Sequence, residues 1–366
     1  MATLRELWNP DIQQLQPYQP GKPIEALTRE LGLTDIIKLA SNENPRGPGP
    51  AVREALAKAV TELNRYPDGS GFRLKAALAA HLDVEPGHVT LGNGSNDVLE
   101  LIAKVVLTPG AEVVVSAHAF VVYGLATIAA GGRLVEVPAQ NYGADLDAML
   151  AAITPKTRLV FLANPNNPTG TWVGGDALRA FLAAVPPEVL VVLDEAYFEY
   201  MDDPDYPDGL ALMRSFKNLA VTRTFSKIYG LAGLRVGYAV TGPVLADLLN
   251  RVRQPFNVNS LGLVAAEVAL AEQNYVAESR RLNSAGLAQL EAGLAQAGLS
   301  WIPTGCNFLC VDMGRDAGPL YEALLRRGVI VRPVAGYGMP QHLRISVGTE
   351  AENARCLQAL QALGDA

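Results

Sequence analysis

Leu159-Val160-Phe161-Leu162-Ala163-Asn164-Pro165-Asn166-Asn167-Pro168-Thr169-Gly170 joins a continuous apolar run to a loop stiffened by two prolines. The run reads as a β-strand buried on both faces, as strands of a parallel sheet are. Proline fixes φ and removes a backbone donor, while asparagine and glycine accept turn conformations, so the strand must end near Ala163. An ordinary turn would not need so elaborate a sequence. Loops at the carboxyl ends of parallel strands are where open α/β sheets bind ligands.

Working outward, similar apolar runs recur at 89–91, 113–116, 134–137, 189–194, 219–224 and 235–240. Helical periodicity lies between many of them, as at 98–107, 146–153 and 177–185. Such alternation predicts an α/β layer: a mostly parallel mixed sheet flanked by helices. After about residue 245 the pattern changes to a long helical stretch at 262–299 and shorter strands at 308–312, 329–332 and 343–347. A closing helix starts at Thr349, which has capping-box spacing to Glu352. This is the pattern of a smaller α+β domain. The start is irregular, with Pro10, Pro17, Pro20 and Pro23, and the run Pro45-Arg46-Gly47-Pro48-Gly49-Pro50 marks a boundary. The expected organisation is an arm at 1–45 that packs on other parts of the molecule, a large domain at 46–245 and a small domain at 246–366.

Composition narrows the function. The chain has 366 residues, 49% hydrophobic and 18% charged, which is enough to bury a sizeable core and excludes wholesale disorder. A net charge of −7 argues against a general nucleic-acid binder. Three cysteines exclude a disulfide scaffold and suit a reducing cytoplasm. The start, MATLRELWNPDIQQL, lacks the continuous apolar core of a signal peptide. Residues 113–132 lack Asp, Glu, Lys and Arg, but read as strand, loop and buried helix rather than a membrane span. Asn93-Gly94-Ser95 matches a glycosylation sequon by chance in a chain without a secretory signal. The four histidines show no metal-ligand spacing, so no metal site is expected.

Three further segments carry chemistry. Gly92-Asn93-Gly94-Ser95-Asn96-Asp97 lies between a strand and a helix, where glycines admit a ligand and helix N–H groups favour an anion. It reads equally well as an N-capped turn. Asp194, in Val191-Val192-Leu193-Asp194-Glu195-Ala196-Tyr197, could cap a helix, bind a metal or pair with a buried cation. Lys227 follows Thr222-Arg223-Thr224-Phe225-Ser226, just past an apolar strand. Alone it would be a surface lysine; if buried, desolvation makes its neutral amine available as a Schiff-base nucleophile.

Taken together, the order and spacing of Asn166-Asn167-Pro168-Thr169-Gly170, Asp194-Glu195-Ala196-Tyr197 and Ser226-Lys227…Gly233-Leu234-Arg235-Val236-Gly237 resemble the fold-type-I pyridoxal-phosphate (PLP) aminotransferases over nearly the whole chain. More narrowly, Pro17-Tyr18-Gln19, Leu39-Ala40-Ser41-Asn42-Glu43-Asn44-Pro45, Arg65-Tyr66-Pro67-Asp68 and Leu343-Arg344-Ile345-Ser346-Val347-Gly348-Thr349 are similar to the histidinol-phosphate aminotransferase group.

The resemblance implies roles. Lys227 would bind pyridoxal 5'-phosphate covalently and shuttle a proton. Asp194 would pair with the pyridinium nitrogen, and Tyr197 and Asn167 would hydrogen-bond the ring oxygen. Phe120 rather than Tyr123 would stack on the ring. Gly94, Ser95, Asn96, Ser226 and Arg235 would hold the phosphate, joined by Tyr66 from a second subunit, which implies a homodimer with shared active sites. Arg344 and Tyr18 would take the substrate anion, with Arg332 and Asn44 as further substrate contacts; Arg332 reads equally as a surface salt bridge. The implied reaction exchanges an amino group between histidinol phosphate and 2-oxoglutarate in histidine biosynthesis. The competing readings are an aminotransferase for aromatic or other amino acids, a PLP decarboxylase of a phosphorylated amino acid, and a PLP-sensing regulator without turnover. Charge and length argue against the last.

Overall fold

In the computed structural model, residues 9–13 and 15–364 are described. Residues 1–8 and 14 of the expected arm, and with them most of the start MATLRELWNPDIQQL, lie outside that range.

The apolar runs assemble into a seven-stranded sheet in the order Val89–Gly92, Gly237–Val240, Leu219–Thr224, Leu190–Asp194, Thr157–Ala163, Glu112–Ser116, Arg133–Val137. Only Gly237–Val240 runs antiparallel to its neighbours. Alternate residues of these strands supply two separate cores. Val113, Val115, Phe161 and Val192 meet Leu99, Ile102 and Tyr123 on one face. Val114, Val160, Leu162 and Leu193 meet Met149, Leu178 and Phe181 on the other. Helices therefore cover both faces, which explains why the strands read as unbroken apolar runs.

A second sheet of four antiparallel strands, Arg332–Pro333, His342–Ser346, Phe308–Asp312 and Ser300–Ile302, is backed by the helices Gln273–Gln296, Ala317–Arg326 and Glu350–Gly364. The capping box forms: the Thr349 backbone N–H donates to Glu352 Oε2 at 2.8 Å, and the Glu352 N–H to Thr349 Oγ1 at 3.3 Å. Part of the arm joins this unit. Ile37–Lys38 pairs in parallel with Val329–Ile330, and Leu27 packs on Leu325 and Ile330.

Three details differ from the sequence expectation. The stretch at 262–299 is two helices, Ser260–Ala271 and Gln273–Gln296, broken at Glu272. The first is buried against the large sheet's cluster through Ala265, Ala266 and Ala269; the second turns onto the small sheet through Leu290 and Leu294. For the same reason the expected boundary at 245/246 falls too early: Leu249 and Ala265 pack with the large sheet. The strand at 329–332 is split, because Val329–Ile330 serves the arm and Arg332–Pro333 serves His342–Ser346. The three cysteines are buried and unpaired. Among the described residues no helix is long and apolar enough to cross a membrane, and none of their His, Cys, Asp and Glu side chains group to hold a metal ion.

Candidate active site

The parallel strands share one carboxyl edge, where Ala163, Asp194 and Thr222 lie side by side in register. The loops leaving that edge enclose a cavity of about 430 Å³. Segment 41–42 and the strand His342–Ser346 close its far side, so both sheets contribute walls.

Asp194 forms the floor. It is buried, accepts the Tyr123 hydroxyl hydrogen at 2.8 Å and that of Thr222 at 3.0 Å, and has no ion-pair partner among the described residues. Burial pushes its carboxyl pKa up; the two hydrogen bonds and the Lys227 charge oppose that rise. A buried carboxylate without a cation is costly unless a ligand brings the positive charge.

Lys227 follows the strand Leu219–Thr224 and donates from Nζ to the Ser41 carbonyl at 3.4 Å. Desolvation, aided by the Arg344 charge, lowers its pKa to about 8, against a pull upward from Glu43. A substantial neutral fraction is then present near neutral pH, as a nucleophile requires. Tyr197 lies beside it, with the Lys227 Nζ 5.6 Å from the ring centroid. The Tyr197 oxygen accepts from Asn42 Nδ2 at 2.8 Å.

An anion cradle occupies one end. The helix Ser95–Val106 begins after Gly94, whose φ is +82°. A Cβ on Gly94 would sit 2.3 Å from Arg235 Nη2, and one on Gly237 would sit 2.3 Å from the Ser95 nitrogen. The missing side chains let the guanidinium and the helix N-terminus close on one another. Arg235 Nη1 also donates to Ser226 Oγ at 3.1 Å. Helix N–H groups and a fixed cation suit a phosphate dianion.

Arg344 holds the other end. Its Nη1 donates to Asn167 Oδ1 and its Nη2 to the Ala40 carbonyl at 2.7 Å, while its Nε is buried without a partner among the described residues. That orphaned donor, the uncompensated Asp194 and the cradle match a ring cation with a phosphate and an anionic substrate. The residues present therefore fit PLP.

The predicted residues divide. Ser95, Asn96, Phe120, Asn167, Asp194, Tyr197, Ser226, Lys227, Arg235, Tyr18 and Arg344 all line the cavity, and Gly94 shapes its cradle. Arg332 stands behind Tyr18, with its guanidinium carbon 5.4 Å from that ring centroid. Asn44 is a correction. It lines a separate cavity and not this one; its Nδ2 is occupied by the Ile228 carbonyl at 2.7 Å, Ser279 Oγ at 3.1 Å and the Tyr275 hydroxyl at 3.2 Å. Its neighbour Asn42 is the wall instead. Tyr66 is 83% exposed, outside this cavity and stacked on Phe256 at 4.8 Å. Sequence reading missed Asn42, Thr222 and the bond from Tyr123 to Asp194. Strand register and loop folding bring these together, and neither has a local sequence signal.

Comparison with known proteins agrees. The family described as "Aminotransferase class I and II" matches residues 34–360. Histidinol-phosphate aminotransferase 2 of Pseudomonas fluorescens is 59% identical over 97% of this chain and 96% of its own length. Histidinol-phosphate aminotransferase 1 of Nitrosococcus oceani is 54% identical over 96% of this chain and 95% of its own. Among solved structures, the histidinol-phosphate aminotransferase of Sinorhizobium meliloti in complex with pyridoxal-5'-phosphate superposes with a TM-score of 0.90 at 34% identity, covering 98% of this chain and 97% of that one. The chain that builds this cavity belongs to the class I and II aminotransferases.

Proposed function

We infer that the protein is a PLP-dependent transaminase. It transfers the amino group of histidinol phosphate to 2-oxoglutarate, giving imidazole-acetol phosphate and glutamate, in histidine biosynthesis. One observation carries the reading: a depressed lysine, an uncompensated buried carboxylate and two separate anion sites converge on one cavity. Bound PLP supplies an electron sink for the pair released when the substrate carbon loses its proton.

The chain's residues do the rest. Lys227 Nζ would hold the cofactor and, as a neutral amine, would move the proton at the substrate carbon. Asp194 would hold a proton on the ring nitrogen, and the Tyr123 and Thr222 hydroxyls keep that carboxylate aimed and oppose its protonation. Tyr197 would donate to the ring oxygen. Asn167 has its Oδ1 engaged by Arg344, which leaves Nδ2 for the same oxygen. Phe120 would cover the ring, because Tyr123 is committed to Asp194 and stacks on Phe161 at 4.8 Å. Gly94, Ser95, Asn96, Ser226 and Arg235 bind the phosphate. Arg344, with Tyr18 in front of Arg332, accepts the substrate phosphate in one half-reaction and a glutamate carboxylate in the other, since a guanidinium fork suits both.

The proposed assembly is a homodimer. Tyr66 and Phe72, 83% and 71% exposed, present aromatic surface away from their own cavity, as a residue reaching a partner's phosphate site would. Three free, buried thiols suit the cytoplasm, where we place the protein.

The test is a visible absorption spectrum of the PLP-loaded protein titrated with histidinol phosphate in the absence of any oxo acid. The expected result is stoichiometric conversion of the aldehyde-form band to the amine-form band. An unmoved band overturns the substrate; no band after reconstitution overturns the cofactor linkage.

A further inference from the structure

Tyr197 can serve the ring oxygen only if its hydroxyl hydrogen points into the cavity. Its oxygen lies 2.8 Å from the amide of Asn42, and an amide can either donate to a phenol or accept from it. If Asn42 presented its carbonyl, the Tyr197 hydrogen would be drawn away from the cavity. What decides is the other end of the amide. Ser346 Oγ accepts the Asn42 backbone N–H at 2.8 Å, so its own hydrogen is free, and it donates to Asn42 Oδ1 at 3.0 Å. With Oδ1 taken, Nδ2 must face Tyr197. The Tyr197 oxygen then accepts, and its hydrogen is released toward the cavity.

The rest of the local structure serves this geometry. Asn42 is 1% exposed, with φ at +55°, a left-handed conformation that asparagine tolerates better than most residues. Its carbonyl is held by Asn307 Nδ2 at 3.0 Å. Ser346 is tied to the same segment, its N–H donating to the Leu39 carbonyl at 2.9 Å. Both partners of the amide are therefore fixed before any ligand arrives.

We propose that Ser346 and Asn42 are positioning residues that set the direction of the Tyr197 hydroxyl hydrogen, and through it the proton affinity of the bound cofactor. The inference rests on the reading above that Tyr197 faces the ring oxygen. A donor to that oxygen favours the deprotonated form of the cofactor chromophore, so losing the donor raises the pH midpoint of its visible band.

The experiment measures that midpoint in the PLP-loaded protein without substrate, for wild type, Tyr197→Phe, Asn42→Asp, Ser346→Ala and Ser346→Thr. Asp tolerates the left-handed backbone, keeps the shape and, as a carboxylate, accepts the Tyr197 hydrogen outright. Ser346→Ala frees the amide to turn. The expected order of midpoints is Asn42→Asp close to Tyr197→Phe, raised by about one pH unit, then Ser346→Ala, raised by about half a unit, with Ser346→Thr back near wild type. A role confined to packing would make Ser346→Thr, the bulkier change, at least as disturbing as Ser346→Ala. If Tyr197→Phe shifts the midpoint while Asn42→Asp and Ser346→Ala do not, the relay is overturned and the role of Tyr197 stands. If Tyr197→Phe leaves it in place, the facing of Tyr197 itself is overturned, and the relay with it.

Discussion

Asp194 and Glu195 are consecutive acids at the end of one strand, both buried, and the fold treats them in opposite ways. Glu195 is neutralised internally. Its Oε2 lies 2.7 Å from Arg223 Nη2, its Oε1 accepts the Gly209 N–H at 2.8 Å, and the Arg223 guanidinium carbon sits 3.5 Å from the Phe198 ring centroid. Asp194 is given two hydroxyl donors and no cation. Because side chains alternate along a strand, the two acids point to different sides. The lesson concerns where function resides. The carboxylate whose charge is satisfied holds the structure; the one left uncompensated is held ready for a ligand's positive charge.

Exchanging charge for neutrality at each position should separate the two roles. Asp194→Asn keeps the shape and removes the charge that protonates the cofactor ring. Turnover of histidinol phosphate should fall by about 10³-fold, within the range seen when a positioned acid–base or electrostatic group is removed. The cofactor-free protein should melt no lower than wild type, since an unpaired buried charge has been relieved. A variant with near-normal kcat would break the assignment of Asp194.

Glu195→Gln should do the reverse. Among the described residues it leaves buried Arg223 with the half-exposed Asp208, 3.0 Å away, as its remaining ion-pair partner. Breaking a buried pair from one side costs about 3–5 kcal/mol, and the remaining contact to Asp208 places this case at the lower end. Denaturant unfolding of the variant measures it. The folded fraction should keep wild-type kcat; a large loss of kcat in folded protein would mean that Glu195 also serves the cavity.

The same contrast appears in the titration of Lys227. Its pKa is lowered to about 8, so the ammonium dominates below pH 8 and the neutral amine above it. Only the neutral amine attacks an aldehyde. The rate at which the cofactor-free protein captures PLP, followed by absorbance, should rise about tenfold between pH 7 and pH 9, as the neutral fraction of such a group does. Asp194 carries a negative charge felt by Lys227, so Asp194→Asn should move the midpoint down. Glu195→Gln should leave it in place, because Arg223 already cancels that charge. A midpoint near that of an ordinary lysine would show that the amine is not desolvated.

How much of this was legible in the sequence follows from which contacts are local. The strand 219–224 appears as expected, because a run buried on both faces writes its length directly into the chain. Lys227, Asp194 and Asn167 were identifiable because Asp194 ends a strand and the other two sit a few residues past one, where sheet geometry alone delivers them to the carboxyl edge. Asn44 was expected at the substrate and Asn42 was not singled out, because the two are close together in one irregular segment and only the turn at Asn42 decides which amide faces the cavity. The break at Glu272 escaped because both halves of that stretch are good helix; only the change of core partner separates them. Asp194's lack of a cation was invisible for a similar reason, since an absent partner leaves no mark on the sequence.

The smallest expected effect tests how that uncompensated buried charge is kept. Tyr123 touches Asp194 through one atom, its hydroxyl, while its ring lies nearly parallel to Phe161, with a 9° interplanar angle. Tyr123→Phe therefore removes the donor and spares the packing. The carboxylate loses one of its two hydroxyl partners, so its pKa rises and it competes more strongly with the ring nitrogen for the proton. A hydrogen bond to a charged group contributes more than a neutral one, but Thr222 still serves the same carboxylate, so a net loss of about 1 kcal/mol is expected, which corresponds to about fivefold in kcat. Stability should change by less than the Glu195→Gln loss, because burial of the aromatic ring is unchanged. If Tyr123→Phe lowered kcat as far as Asp194→Asn does, the hydroxyl would belong to the chemistry itself. A fivefold loss, with Thr222→Val giving a similar one, would mark both hydroxyls as supports that keep one deliberately unpaired carboxylate ionised where its neighbour is neutralised.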